Sequence, residues 1–214
     1  MFDRLLSWAA RLLRRGPRTS THRLCEKCGK AASVFAYQVS GRSITKEQQF
    51  CQDCATRNLW MPNPTPSPTS SSEIGRDQEI RVEVEKMICY SDATQQYIIF
   101  REVEGPRRLT LVTGYFEATA LWWFLKDEPN PRPPTHDAWL KTAIALGATV
   151  ESACVHDRQG DAYSAEIRLV QGDSKVKVDV RPSDALLFTL RARVPFFFTE
   201  KMLAQYAVSE AEPV

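Results

Sequence analysis

The chain has 214 residues, of which 43% are hydrophobic and 25% are charged, and its formal net charge is +2. These proportions are ordinary for a soluble globular protein, and no apolar run reaches the roughly 18 residues that a membrane-spanning helix needs. The sequence also contains no Walker loop, dinucleotide fingerprint, nucleophile elbow or His-Glu-x-x-His pattern, which sets those enzyme classes aside.

The charge is distributed unevenly along the chain. Residues 1–60 hold 11 Lys and Arg against 4 Asp and Glu, whereas residues 61–214 hold 17 against 22. Non-specific affinity for nucleic acid comes mostly from cations that neutralise phosphates. The N-terminal part is therefore the part that we expect to attract phosphate.

The first segment, residues 1–21, predicts a short basic amphipathic helix. Apolar side chains recur at helical spacing from Phe2 to Leu13, and arginines fall largely on the other side. Three interpretations remain open: a helix that lies on a membrane surface or a partner, an organellar targeting peptide, and a flexible basic terminus. The segment lacks an apolar core of secretory length, so secretion is not expected.

The second segment, residues 22–60, predicts a small zinc module. Cys25 and Cys28 form one Cys-x-x-Cys pair, and Cys51 and Cys54 form another. Two such pairs supply the four thiolates that a structural Zn²⁺ prefers, and the strand-like sequence between them turns at Gly41 as a hairpin would. So short a segment buries little core, and the ion would contribute on the order of 10 kcal/mol of folding free energy.

This use of cysteine indicates a reducing compartment, and we expect a cytoplasmic protein without structural disulfides. A redox role for the two pairs is the alternative, although the βαβ context that usually accompanies it is missing. The pairs continue as Cys-x-x-Cys-Gly at Gly29 and Cys-x-x-Cys-Ala at Ala55. In this the module resembles the zinc modules of bacterial protein-arginine-kinase activator proteins.

Residues 61–78 predict a linker, because prolines alternate in its first half and serines follow. Residues 79–207 predict the larger domain, and residues 208–214 a loose tail. The alternating patterns and turn signals of this domain predict an α+β fold with a mostly antiparallel or mixed sheet and packed helices, preceded by the small Cys₄ zinc-ribbon-like module. The expected strands are Ile80–Tyr90, Tyr97–Val103, Leu109–Thr113, Ala148–Val155, Ala162–Val170, Lys175–Val180 and Val194–Phe198, and the expected helices begin near Gly114, Thr135, Pro182 and Thr199.

Three motifs in the larger domain carry a family resemblance. They are Tyr115-Phe-Glu-Ala-Thr-Ala, Pro134-Thr-His-Asp-Ala-Trp-Leu, and Arg181-Pro-Ser-Asp-Ala-Leu after a Val-Asp-Val strand. In this order they resemble the bifunctional nuclease domain family. The resemblance implies nuclease activity on DNA and RNA.

The polar residues of these motifs are the candidate site. Glu117, His136, Asp137 and Asp184 are the candidate catalytic groups, with Mg²⁺ or Mn²⁺ as a candidate catalytic ion, and Arg181 is the candidate phosphate ligand. The three carboxylates also have a structural interpretation, since carboxylates stabilise the first turn of a helix and Asp184 can close a capping box. Arg181 has one as the ion-pair partner of Asp179 or Asp184, whereas a charged histidine gains nothing at a helix N-terminus.

Two functions follow from these patterns. The first is a metal-dependent nuclease that acts on DNA or RNA, with a zinc module that recruits nucleic acid or a protein partner. The alternative is a non-catalytic zinc-containing adaptor whose larger domain is a platform for oligomerisation or partner binding. The acidic balance of residues 61–214 favours the adaptor, and homo-oligomers are compatible with both.

Overall fold

The computed structural model describes residues 23–59, 78–91, 95–127, 132–160 and 162–209. The predicted amphipathic segment 1–21 lies outside these ranges, as do residues 61–77 of the predicted linker and residues 210–214 of the predicted tail. The chain divides into two compact units. The first comprises Met1–Pro62, Val84–Ile99 and Leu111–Glu128, and the second comprises Asn63–Glu83, Phe100–Thr110 and Pro129–Val214.

The described residues form ten strands and five helices. The strands are β1 (Val34–Ser40), β2 (Ser43–Phe50), β3 (Glu79–Tyr90), β4 (Gln95–Glu102), β5 (Arg107–Gly114), β6 (Thr149–Gln159), β7 (Ala162–Gln171), β8 (Ser174–Val180), β9 (Phe196–Thr199) and β10 (Val208–Ser209). The helices are α1 (Gln52–Asn58), α2 (Tyr115–Leu125), α3 (Thr135–Ala145), α4 (Pro182–Ala192) and α5 (Glu200–Tyr206). Among these helices, none is long and apolar enough to cross a membrane.

In the first unit, the β1–β2 hairpin pairs with the second half of β3. The hairpin turns at Gly41, whose backbone φ of 59° is rarely adopted by residues that have a Cβ. β1 runs antiparallel to β3, with Val34 opposite Tyr90. One apolar cluster joins the hairpin, α1, β3 and β4, and its buried members include Val34, Ala36, Phe50, Ala55, Ile88 and Ile99.

The sheet is mixed. Its strand order is β10-β5-β4-β3-β9-β6-β7-β8, and β3, β4 and β5 contribute residues to both units. The β6–β9 pair is parallel, whereas β3–β9, β6–β7 and β7–β8 are antiparallel. The predicted α+β fold with a mostly antiparallel, mixed sheet is therefore confirmed.

Helix α4, which begins at Pro182 as the sequence predicts, is a largely buried helix of the second unit. Residues Ala185 to Thr189 are buried, and Pro182 occupies the first turn, where its missing N–H costs no hydrogen bond. The helix ends at Arg193, which adopts the left-handed conformation with φ of 61°. The ring of Phe188 packs on that of Trp139 in α3, with 4.6 Å between the centroids. Helix α4 thus fixes the position of α3, which has no fully buried residue of its own.

Candidate functional site

The four cysteines of the predicted zinc module meet at one point. Their Sγ atoms all lie within 4.8 Å of one another, and the Sγ atoms of Cys28 and Cys51 are 3.6 Å apart. Sulfurs bound tetrahedrally to Zn²⁺ at about 2.3 Å lie about 3.8 Å from each other. The cluster therefore has the chemistry and nearly the spacing of a structural zinc site, and it could hold a metal ion such as zinc.

Local backbone structure positions each pair of cysteines. Cys25 begins a tight turn in which the N–H of Gly29 donates to the carbonyl of Cys25, and Gly29 has a φ of 72°. Cys51 is the N-cap residue of α1, and Cys54 lies in the first turn of that helix. The hairpin that separates the pairs returns the chain to the same place, since Val34 lies opposite Phe50.

The thiols of the cluster differ in acidity. Burial raises the pKa of the Cys25 thiol, but backbone N–H groups of Cys51, Lys27 and Cys28 outweigh it and lower that pKa to about 6. The hydrogen bond with Cys28, followed by burial, raises the pKa of Cys54 to about 12. Four crowded sulfurs cannot all carry a negative charge unless a cation compensates them.

The second candidate site lies where α3 and α4 begin. His136 Nε2 is 3.0 Å from Asp184 Oδ1, and the two side chains are 14% and 30% exposed. Both residues stand in the first turn of their helices, where the positive end of the helix dipole favours an anion. The start of α4 has no side-chain cap hydrogen bond, and the carboxylate of Asp184 contacts the imidazole of His136.

Asp137 forms an ion pair with Arg191 of α4, whose side chain is only 7% exposed. This pair and the contact between Trp139 and Phe188 hold the first half of α3 against α4. The carboxylate of Asp137 is thus used to dock one helix on the other. The sequence carries no signal for this role of Arg191, because a basic residue in the last turn of a helix is common and its partner is 54 residues away.

Of the remaining two candidates, one adjoins this pair in the sequence and the other does not. Arg181 is the N-cap residue of α4 and is exposed. Glu117 belongs to the first unit, in the first turn of α2. Its carboxylate lies against Gly114, where an added Cβ would come within 2.5 Å of Oε2. The catalytic role of Glu117 stays a prediction.

Within the described ranges, three or more side chains of metal-binding type come together only at the four cysteines. His136 and Asp184 provide two such groups by themselves. The described side chains around this pair therefore do not make up a protein-only site for Mg²⁺ or Mn²⁺.

Together the fold and these residues define an α+β protein with a cluster of four cysteines that could hold a metal ion and a His–Asp pair at two helix starts. The chain belongs to the bifunctional nuclease domain family, whose model matches residues 98–211. The match includes all five catalytic and phosphate-binding candidates and excludes the four cysteines, so the resemblance of the zinc module to that of the kinase activators stays a prediction.

Two uncharacterized proteins of Mycobacterium tuberculosis, from strains CDC 1551 and H37Rv, are similar to this chain. Each is 33% identical over 111 residues, which are 52% of this chain and 66% of the relative. The matched part of the chain thus spans just under two thirds of the length of these relatives.

Proposed function

We propose that this protein hydrolyses phosphodiester bonds of nucleic acid, and that His136 and Asp184 are the groups that move the proton. The observation that carries the proposal is the 3.0 Å contact between His136 Nε2 and Asp184 Oδ1 at the start of two helices. Family membership supports a role on nucleic acid. Among the candidate residues, this pair has the geometry of a base and the group that orients it.

The proposed chemistry uses the tautomer of His136 in which Nε2 carries the proton. When Nε2–H donates to Asp184, Nδ1 of His136 is left as the proton acceptor. A water oxygen then attacks phosphorus while its proton passes to Nδ1, and the P–O bond to the leaving nucleotide breaks. Asp184 stabilises the imidazolium that forms, and the same proton can return to the leaving oxygen.

Phosphate binding is the second requirement of the reaction. Arg181 is exposed one turn from Asp184, at a helix start whose N–H groups favour an anion. In this proposal, Arg181 and the N–H groups at the start of α4 bind the scissile phosphate. Asp137 positions α3 against α4, because its carboxylate pairs with Arg191. A dependence of cleavage on Mg²⁺ or Mn²⁺ is part of the proposal and is measured in the assay below.

The zinc module has a separate role in this proposal. Zn²⁺ held by Cys25, Cys28, Cys51 and Cys54 fixes the hairpin, and the basic residues 1–60 recruit nucleic acid or a protein partner. The cytoplasm is the compartment that we propose, because its thiols stay reduced.

The test is cleavage of labelled single- and double-stranded DNA and RNA by the full chain, with Mg²⁺, with Mn²⁺ and with chelator. We expect His136→Ala and Asp184→Asn to lower the rate by about 10²–10⁴-fold, the usual contribution of general acid–base catalysis. Asp173→Asn, in the turn before β8, removes the same charge from another place and is the matched control. Thermal melting checks that the parent and the three variants are folded. Equal cleavage rates for all four folded proteins would contradict the proposal.

A specific observation favours the adaptor as the second candidate. Many cations of the second unit are already paired with carboxylates: Arg101 with Glu83, Arg107 with Glu102 and Glu200, Arg168 with Glu79 and Glu166, Lys177 with Glu166, Arg191 with Asp137, and Lys201 with Asp157. Paired cations attract phosphate less. The salt dependence of nucleic-acid binding separates the two candidates, because an adaptor that docks only protein shows no binding at low salt.

A further inference from the structure

Strand β8 is the last strand of the sheet at one end, and its outer edge is open within the described part of the chain. β8 pairs with β7 from Ala165 opposite Val180 to Gln171 opposite Ser174. Five of its seven residues are exposed. An open edge presents a row of unpaired backbone N–H and C=O groups, which can pair with a strand from another chain.

The polar face of β8 carries Lys175, Lys177 and Asp179, and these charges are not equivalent. Lys177 Nζ pairs with Glu166 at 2.9 Å, so its charge is compensated within the chain. Asp179 stands directly opposite that same Glu166 in the ladder, where like charges destabilise a sheet. Among the residues that the structure describes, neither Lys175 nor Asp179 takes part in an ion pair.

We propose that β8 pairs antiparallel with β8 of a second copy of this chain, about a two-fold axis through Lys177. In this register Lys175 lies opposite Asp179 of the second copy, and Asp179 lies opposite Lys175 of that copy. The sequence Lys-Val-Lys-Val-Asp is thus complementary to itself in charge. The one like-charged contact is Lys177 with Lys177, and Glu166 already compensates it in each copy.

The other face of β8 supports the same register. Val176 and Val178 point to the face that also carries Leu169 and Ile167, their partners on β7. Across the two-fold axis, each Val176 meets a Val178. Cross-strand pairs of β-branched residues are among the favourable pairs of antiparallel sheets.

Exposed apolar side chains flank this face. Gln171 Nε2 donates to the carbonyl of Leu146, which places the end of α3 at the end of β7. Leu146 is 68% exposed, Ile144 is 58% exposed and Val176 is 41% exposed. A second copy that continues the sheet would cover part of this apolar surface, and the burial would add to the strand pairing.

Lysines on an edge strand commonly prevent such pairing. Here that effect is weak, because Lys177 is matched by Glu166 and Lys175 finds Asp179 in the proposed register. An edge built to repel would not carry an aspartate two residues after its second lysine.

The experiment is sedimentation of the full chain over a range of concentrations, with two single charge reversals and their combination. We expect the parent to dimerise, and Lys175→Asp and Asp179→Lys each to raise the dissociation constant at least about tenfold, since each replaces two attractive pairs by two repulsive ones. The double variant restores complementarity with the signs exchanged, and its dissociation constant should return to within about threefold of that of the parent.

The matched control is Glu104→Lys, which makes the same change of charge as Asp179→Lys in the exposed turn before β5. It should dimerise as the parent does. A parent that stays monomeric at every concentration, as expected if the edge binds a different partner, would overturn the proposal. Two other results would also overturn it. One is a dissociation constant that neither single charge reversal changes, and the other is a double variant whose dissociation constant is as high as those of the single variants.

Discussion

At the scale of single residues, arginines that each contact two carboxylates connect distant parts of the chain. Arg107 donates to Glu102 at 2.9 Å and to Glu200 at 2.7 Å, and its guanidinium is 23% exposed. The hydrogen bonds that Glu102 accepts from Arg107 lower the pKa of the Glu102 carboxyl, although burial of that carboxyl opposes them. A carboxyl whose pKa is lowered by folding stabilises the folded state only while it is ionised.

This lowered pKa predicts the acid stability of the protein. Glu102 contributes stability above its unfolded pKa of about 4.3, and loses it as the pH falls through the lower folded pKa. We expect Glu102→Gln to lower the free energy of unfolding by about 1–3 kcal/mol at pH 7 and to flatten its decrease between about pH 5 and pH 3.

Urea denaturation at a series of pH values measures this difference. Glu104→Gln, in the exposed turn that follows Glu102, is the control and should behave as the parent does. A constant difference between the parent and Glu102→Gln at every pH would show that Glu102 acts through packing rather than through its charge.

At the scale of elements, the sequence predicts what depends on local pattern and misses what depends on distant partners. The strands that alternate in polarity, the buried helix that begins at Pro182 and the turn at Gly41 all follow from nearest neighbours. The pairing of β1 with β3 does not, because the sequence between the two strands carries no signal for that register. The sequence does not predict helix α1 either, because seven residues are too few to show a clear apolar period.

In the candidate sites, too, the sequence predicts what depends on local spacing and misses what depends on distant partners. The four cysteines were predictable because metal ligands have a fixed spacing in the sequence. The contact of His136 with Asp184 joins residues 48 positions apart, so the sequence indicated both residues but not their meeting. The pairing of Asp137 with Arg191 also depends on how α3 docks on α4, and no local pattern encodes that docking.

Zinc bound to the four cysteines, as we propose, would stabilise the hairpin and α1. Cys25 and Cys51 are members of the apolar cluster that holds β1, β2 and α1. Without the ion, the thiolates repel one another and the zinc–sulfur bonds are lost, so β1, β2 and α1 should all become less stable. We expect Cys28→Ser to lose the bound zinc, about one ion per chain, and to speed hydrogen exchange in β1 and α1.

Elemental analysis and hydrogen-exchange mass spectrometry test this prediction together. Cys154→Ala, which alters a buried cysteine of β6 outside the cluster, is the control and should keep both the metal and the protection. Protection in the buried helix α4 should be unchanged in Cys28→Ser. A parent protein that contains no zinc would contradict the prediction directly.

At the scale of the whole molecule, the chain combines a region that matches the family with a segment outside that match. The matched residues 98–211 contain the His–Asp pair, and the four cysteines precede them. The net charges also differ, since residues 1–60 are basic and residues 61–214 are acidic. We infer a division of labour in which the basic segment brings in the nucleic acid and the His–Asp pair cuts it.

The measurement that tests this account most directly is a double-mutant cycle on cleavage, with His136→Ala, Asp184→Ala and the double variant assayed on one oligonucleotide. If the two residues move one proton as a unit, all three variants should keep the same residual rate, because either loss disables the pair. Losses that multiply in the double variant would mean that the residues act independently. Full activity in any of the three would contradict the assignment of the active site to His136 and Asp184.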